Sequence, residues 1–179
     1  PLPTPCLELK DISTAAGTVR FEFLDDVEVD DHSILFDFDI RFATLDTYGI
    51  YIREQGSSTE RFLNLTFGGD ATVELADEAT FPPIPIGTYQ SDRTYHVRIR
   101  FDWDAMGGHG EYDVLVDGIP VVQDRPFAAS VGVGSISFLH LSDGDLTGKF
   151  WIDDLAVATD SDVLPVEPRS WAEIKSPYR

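Results

Sequence analysis

One stretch in the middle of the chain constrains the fold more than any other. Tyr95-His96-Val97-Arg98-Ile99-Arg100-Phe101-Asp102-Trp103 alternates without a break. Tyr95, Val97, Ile99, Phe101 and Trp103 share one face, and His96, Arg98, Arg100 and Asp102 share the other. That is the period-two pattern of a half-buried strand. Three glycines in residues 104–110 then interrupt it, and Glu111-Tyr112-Asp113-Val114-Leu115-Val116 resumes as a second strand. Asp117-Gly118 is a tight-turn pair, after which Ile119-Pro120-Val121-Val122 turns back. The centre of the chain is therefore an antiparallel meander.

The same signature recurs on both sides. Residues 7–9 read as an edge strand and residues 18–23 as a second strand. Ile34, Phe36, Phe38, Ile40 and Phe42 form the clearest alternation of all, with Asp37, Asp39 and Arg41 opposite. Residues 48–53, 61–67 and 72–75 follow. The segment Thr80-Phe81-Pro82-Pro83-Ile84-Pro85-Ile86-Gly87 carries three prolines and is excluded from the middle of a sheet. It reads as a rigid crossing between two sheets. Residues 134–141 and 149–157 close the series. About ten strands, without an internal amphipathic helix, indicate an all-β antiparallel sandwich of two sheets. Their length and aromatic content favour a broad jelly roll over a compact immunoglobulin-type sandwich. The domain is expected over residues 1–159. A proline-containing tail follows over 160–179, where Ser170 and Glu173 would cap a short helix around Trp171.

Composition narrows the partners. With 13 basic and 32 acidic residues among 179, the chain carries a net charge of −19. Nucleic-acid binding needs a cationic surface and is disfavoured, whereas a metal cation suits an acidic one. Cys6 is the single cysteine, so no internal disulfide is available. No apolar run reaches the roughly 18 residues of a membrane span. The chain opens Pro-Leu-Pro without methionine or a signal segment, and reads as a module of a larger protein.

The order Phe36-Asp37-Phe38-Asp39-Ile40-Arg41-Phe42, Tyr48-Gly49-Ile50-Tyr51-Ile52-Arg53 and Thr94-Tyr95-His96-Val97-Arg98-Ile99 resembles the concanavalin A-like lectin/glucanase superfamily. Within it, the chain is most similar to laminin-G-like modules of bacterial polysaccharide-handling proteins. Tyr112-Asp113-Val114-Leu115-Val116-Asp117-Gly118 and Phe150-Trp151-Ile152-Asp153-Asp154-Leu155-Ala156-Val157 extend the likeness across about residues 18 to 158. The resemblance implies a jelly roll that serves as a lectin, a carbohydrate-binding module, a glycan hydrolase, a polysaccharide lyase or an adhesion domain. It also implies a structural Ca²⁺ at the closing strand, whose acid aligns with Asp153. That carboxylate falls on the register of Leu155 and Val157, where a buried charge needs a partner.

The hydrolase branch carries Glu-x-Asp-x-x-Glu on one strand, because retaining chemistry needs two carboxyls about 5 Å apart. This chain lacks that pattern, and Asp37-Phe38-Asp39 has no third acid before Arg41. The lyase motifs are missing as well. The outward registers instead collect Arg41, Tyr51, Arg53, Asn64, His96, Arg98 and Arg100. Arginine forks suit carboxylate or sulfate groups, so these seven are the candidate ligand-binding residues for a glycan, including an anionic polysaccharide. The competing reading pairs the arginines with Asp37, Asp39, Asp102 and Asp113 across strands. Tyr51, Phe62 and Trp151 are expected to be exposed stacking surfaces, Trp103 and Tyr112 to be core, and His109 and His140 to be ordinary residues without a dyad partner.

These observations lead to a non-catalytic, lectin-like module of an exported or cell-surface protein, with calcium as a structural ion. The alternatives are a lyase or hydrolase on the same fold, with Tyr51 or His96 as base beside Arg53 and Arg98, or a purely structural adhesion domain.

Overall fold

In the computed structural model, the residues described are 7–10, 17–22, 33–54, 61–76, 82–106, 109–127, 133–141, 148–159 and 163–164. They form thirteen strands. In chain order these are β1 (Leu7–Lys10), β2 (Gly17–Glu22), β3 (Ser33–Phe42), β4 (Tyr48–Glu54), β5 (Arg61–Phe67), β6 (Thr72–Ala76) and β7 (Ile84–Thr88). Then come β8 (Thr94–Met106), β9 (His109–Val116), β10 (Ile119–Phe127), β11 (Val133–His140), β12 (Lys149–Thr159) and β13 (Val163–Leu164). Sheet A runs β1-β12-β3-β8-β9-β10, with β13 also pairing β12, and sheet B runs β2-β11-β4-β5-β6-β7. Every pairing is antiparallel. The two sheets face each other as a β-sandwich.

The core follows from alternation. Ile34, Phe36, Phe38, Ile40 and Phe42 of β3 are all buried, as are Tyr95, Val97, Ile99, Phe101 and Trp103 of β8. Tyr112 and Val114 of β9 continue that layer. From sheet B, Ile50, Ile52, Leu65, Phe67, Leu75, Ile136 and Phe138 meet them. Aromatic edges interlock across the gap, with Phe38 on Phe138 at 5.1 Å and Phe42 on Phe67 at 4.7 Å between centroids. Such pairs add roughly 0.5–1.5 kcal/mol each beyond their burial.

The proline segment differs from expectation. Residues 84–88 are a strand, β7, at the edge of sheet B, and the crossing to sheet A comes after it. An edge tolerates Pro85 because one side of the strand needs no ladder donor. On the same flank, β10 is the edge of sheet A, carrying Pro120, Pro126 and two register shifts. The β13 pairing places residues 163–164 on sheet A, past the expected end of the sandwich at 159. Cys6 and the short capped helix expected around Trp171 lie outside the described residues.

Two bulges overturn sequence phases. Between the Ile52–Leu63 and Arg53–Arg61 pairs, Phe62 is the extra residue. It turns inward, is 1% exposed, and packs on Phe101 and Phe127. The expectation of an exposed stacking ring at Phe62 is thus corrected. In β12 the register slips between Asp153 and Ala156. Asp153 pairs with Asp39 on the outward register, whereas Val157 pairs with core-facing Phe36. The expected shared face of Asp153 and Val157 is corrected too.

Candidate functional site

The seven arginine-register residues do not form one site. Arg41 on β3 and His96, Arg98 and Arg100 on β8 occupy the outer face of sheet A. Tyr51 and Arg53 on β4 and Asn64 on β5 occupy the outer face of sheet B, on the opposite side of the sandwich. Alternation turns both sets outward, but the topology assigns β3 and β8 to one sheet and β4 and β5 to the other.

On sheet A most of the polar side chains pair with one another, although Arg41 Nε is buried without a partner. Arg98 donates through Nε to Asp37 Oδ2 at 2.9 Å, and its terminal nitrogen reaches the same oxygen. The His96 ring lies between two carboxylates, with Nδ1 2.8 Å from Asp39 Oδ1 and Nε2 2.9 Å from Asp37 Oδ1. Arg100 binds Asp102 at 3.0 Å, and Arg41 binds Asp92 at 2.8 Å from the turn before β8. Asp113 accepts from the Asp124 backbone at 2.9 Å. Half-exposed pairs of this kind bring little net stability. Trp151 is partly exposed on this face, with Arg41 and Lys149 each within 5 Å of its ring (4.9 and 4.6 Å). Lys149 and the Trp151 indole both donate to Glu8, which holds that carboxyl below the usual carboxylate range.

Asp153 stands apart from this lattice. It is 9% exposed; Oδ1 accepts from the Asp154 backbone at 3.0 Å, while Oδ2 is buried without a hydrogen-bond partner. Asp154 itself has φ of 52°, as the bulge demands. A buried carboxylate oxygen without a donor fits a hard cation. Among the described residues, however, no three His, Cys, Asp or Glu side chains gather around a metal position. One carboxylate therefore fits, and a complete shell would need oxygens from backbone or water.

The outer face of sheet B is built differently. Ser137 on β11 is flanked by Arg20 on β2 and Tyr51 on β4, and Tyr51 by Asn64 on β5. Ser135 lies beside Arg53 in the next row. The Tyr51 ring lies over Gly49, where an added Cβ would come within 2.9 Å of it. The Arg53 guanidinium is 5.7 Å from the same ring. Thr66 donates to the Asn64 carboxamide oxygen at 3.2 Å. Tyr51, Arg53 and Ser135 are buried, at 5–6% exposure, so Tyr51 is not the exposed stacking face expected of it. Ser137 is wholly buried, and its hydroxyl has no hydrogen-bond partner. Among the described side chains, Glu74 is the one acid on this face, against two arginines.

Sequence reading missed a second polar centre. His140 Nε2 sits 2.8 Å from Asp46 Oδ2, and both side chains are buried. Asp46 Oδ1 accepts from Thr47 at 2.7 Å, and the Tyr89 hydroxyl donates to the Asp46 carbonyl at 2.6 Å. Burial pushes the Tyr89 phenol up to about 12 and raises Tyr48, which stacks on His140. Gly148 is needed here, since a Cβ would drive into the His140 ring. With the partners 94 positions apart, no local spacing announces the pair. It is closed and central to packing, so its role is structural.

No protein-family model matches the chain, and no curated protein does. Solved structures do. A sialidase aligns over 89% of this chain at 15% identity with a TM-score of 0.68, the chain spanning 16% of its length. Trypanosoma rangeli sialidase in complex with sialic acid aligns over 82% of this chain at 13% identity and TM-score 0.54, covering 25% of that chain. A tetrameric galectin from the ball sponge Cinachyrella sp. aligns over 80% of this chain and 99% of its own, at 13% identity and TM-score 0.53. At such identities the likeness concerns the fold. The chain folds as a concanavalin A-like β-sandwich, the architecture it shares with these sialidase and galectin structures.

Proposed function

We propose that the chain is a non-catalytic carbohydrate-binding module of an exported or surface protein, receiving an anionic glycan on the outer face of sheet B. The observation that carries this reading is the row Arg20, Ser137, Tyr51 and Asn64 on four adjacent strands. It sets exposed Arg20 and partly exposed Asn64 on either side of buried Tyr51 and the wholly buried, unpartnered Ser137 hydroxyl. Arg53 in the next row adds a second cation for a carboxylate or sulfate. The near absence of acids among the described side chains of this face supports an anionic ligand, and leaves the face without a carboxyl pair for the two-carboxylate route of glycoside hydrolysis. One of the similar structures is a sialidase in complex with sialic acid and another is a galectin, which agrees with a glycan ligand. The exported setting rests on the resemblance of the strand motifs to polysaccharide-handling modules.

The test is a titration with neutral and uronate- or sialate-bearing oligosaccharides. Arg53→Ala and Asn64→Ala should each weaken binding about tenfold, the loss of one or two charge-assisted hydrogen bonds. Arg98→Ala on sheet A should leave it unchanged. Absence of binding by the unaltered chain at millimolar ligand would end the reading. Release of an unsaturated uronide would replace it with a lyase.

Calcium is the second part of the proposal. Asp153 Oδ2 would supply one ligand, with backbone carbonyls and water completing the shell. Calcium should raise the melting temperature of the unaltered chain, and Asp153→Ala should abolish that rise. An Asp153→Ala loss that is the same in chelator as in calcium would remove the ion from the account.

A further inference from the structure

Along the flank where β7 and β10 approach each other, the two sheets leave a cavity of about 60 Å³. Leu65, Phe67, Val73 and Ile86 line it from sheet B, and Val97, Val114, Val116 and Val121 from sheet A. Tyr89 and Tyr95 also border it, but their hydroxyls are engaged with backbone groups. Tyr89 bonds Asp46, and Tyr95 accepts from Gln90 at 2.6 Å. No charged side chain borders the space. Thr88 of β7 also borders it, and a cavity so poor in polar partners does not hold water well.

Gly87 makes the opening. It lines the cavity and pairs with inward-facing Val73 at the register shift of β7. A Cβ placed there would meet no atom within 4 Å. Gly87 is also exposed, so the position where a side chain would plug the sandwich is the position that opens to solvent.

We propose that this cavity binds the end of an unbranched, uncharged alkyl chain, entering beside Gly87. Size decides between chain and ring, because a cavity of roughly 150 Å³ is what accepts benzene, and ~60 Å³ holds about two or three carbons. The net charge of −19 disfavours an anionic head group at the mouth. This site is separate from the outer face of sheet B and does not depend on it.

The experiment is a methyl NMR titration of the whole chain with 1-hexanol, beside cyclohexanol. Saturable shifts are expected at Ile86, Val97, Val114, Val116 and Val121 with hexanol and not with cyclohexanol. Gly87→Leu should fill the space, raise the melting temperature by about 2–4 °C, as a gain near 1 kcal/mol would in a chain of this size, and weaken hexanol binding at least tenfold. Val121→Phe fills the cavity from the other sheet and should weaken hexanol equally. Non-saturable shifts, equal response to the ring, or hexanol binding unaltered in both filled variants would overturn the proposal.

Discussion

The two outer faces of the sandwich obey the same alternation and end up as opposites. On sheet A, outward residues are charged, half-exposed and paired within the face: Asp37 with Arg98, Asp39 with His96, Asp102 with Arg100. On sheet B, outward residues include Tyr51, Arg53, Ser135 and Ser137, all buried, with a hydroxyl left unpartnered. A face whose charges already answer one another gains little from a ligand, because binding must first break those pairs. Unanswered polar atoms occur on both faces, at Arg41 Nε and Asp153 Oδ2 on sheet A and at Ser137 Oγ on sheet B, so the contrast lies in how many charges are already paired. The side with fewer charges is therefore the better candidate for recognition.

Three substitutions probe that contrast. The largest effect is expected at the buried pair between the sheets. Asp46→Ala removes the carboxylate beside His140 Nε2 and frees the Thr47 backbone donor, and should cost about 3 kcal/mol or more in a urea melt. A loss under about 1 kcal/mol, the value of an exposed pair, would put this centre in the same class as the sheet A lattice. On sheet B, Ser137→Ala removes a buried hydroxyl that has no partner, and should leave stability unchanged or raise it by up to about 1 kcal/mol. A clear destabilisation would mean that the hydroxyl is already satisfied. The smallest effect belongs to sheet A, where Arg98→Ala should cost below about 1 kcal/mol and less still in high salt. A large, salt-insensitive cost would break the contrast from the other side.

Much of the fold is written in period two. The buried sets on β3 and β8, the meander through Asp117-Gly118 and the edge strand at Leu7 follow from residue order alone. Alternation fails where the backbone adds a residue. Phe62 and Asp153 both sit at bulges, and nothing in their neighbours' chemistry marks the slip. Alternation also says which side of a strand faces outward without saying which sheet the strand joins. Arg41 and Arg53 therefore read alike in sequence and lie on opposite sides of the molecule. The His140–Asp46 pair is invisible for a third reason, since two residues 94 apart meet only after both sheets have closed.

The proline-bearing edges have a consequence for how such domains behave in company. An open strand edge is a template on which a second chain can add hydrogen bonds and grow a shared sheet. Pro85 on β7, and Pro120, Pro126 and the register shifts of β10, interrupt that template on the flank where both sheets end. Repulsion between molecules each carrying −19 acts in the same direction. Sandwiches of this design should tolerate crowding beside copies of themselves, whether strung along a polypeptide or concentrated on a surface, without fusing into fibres.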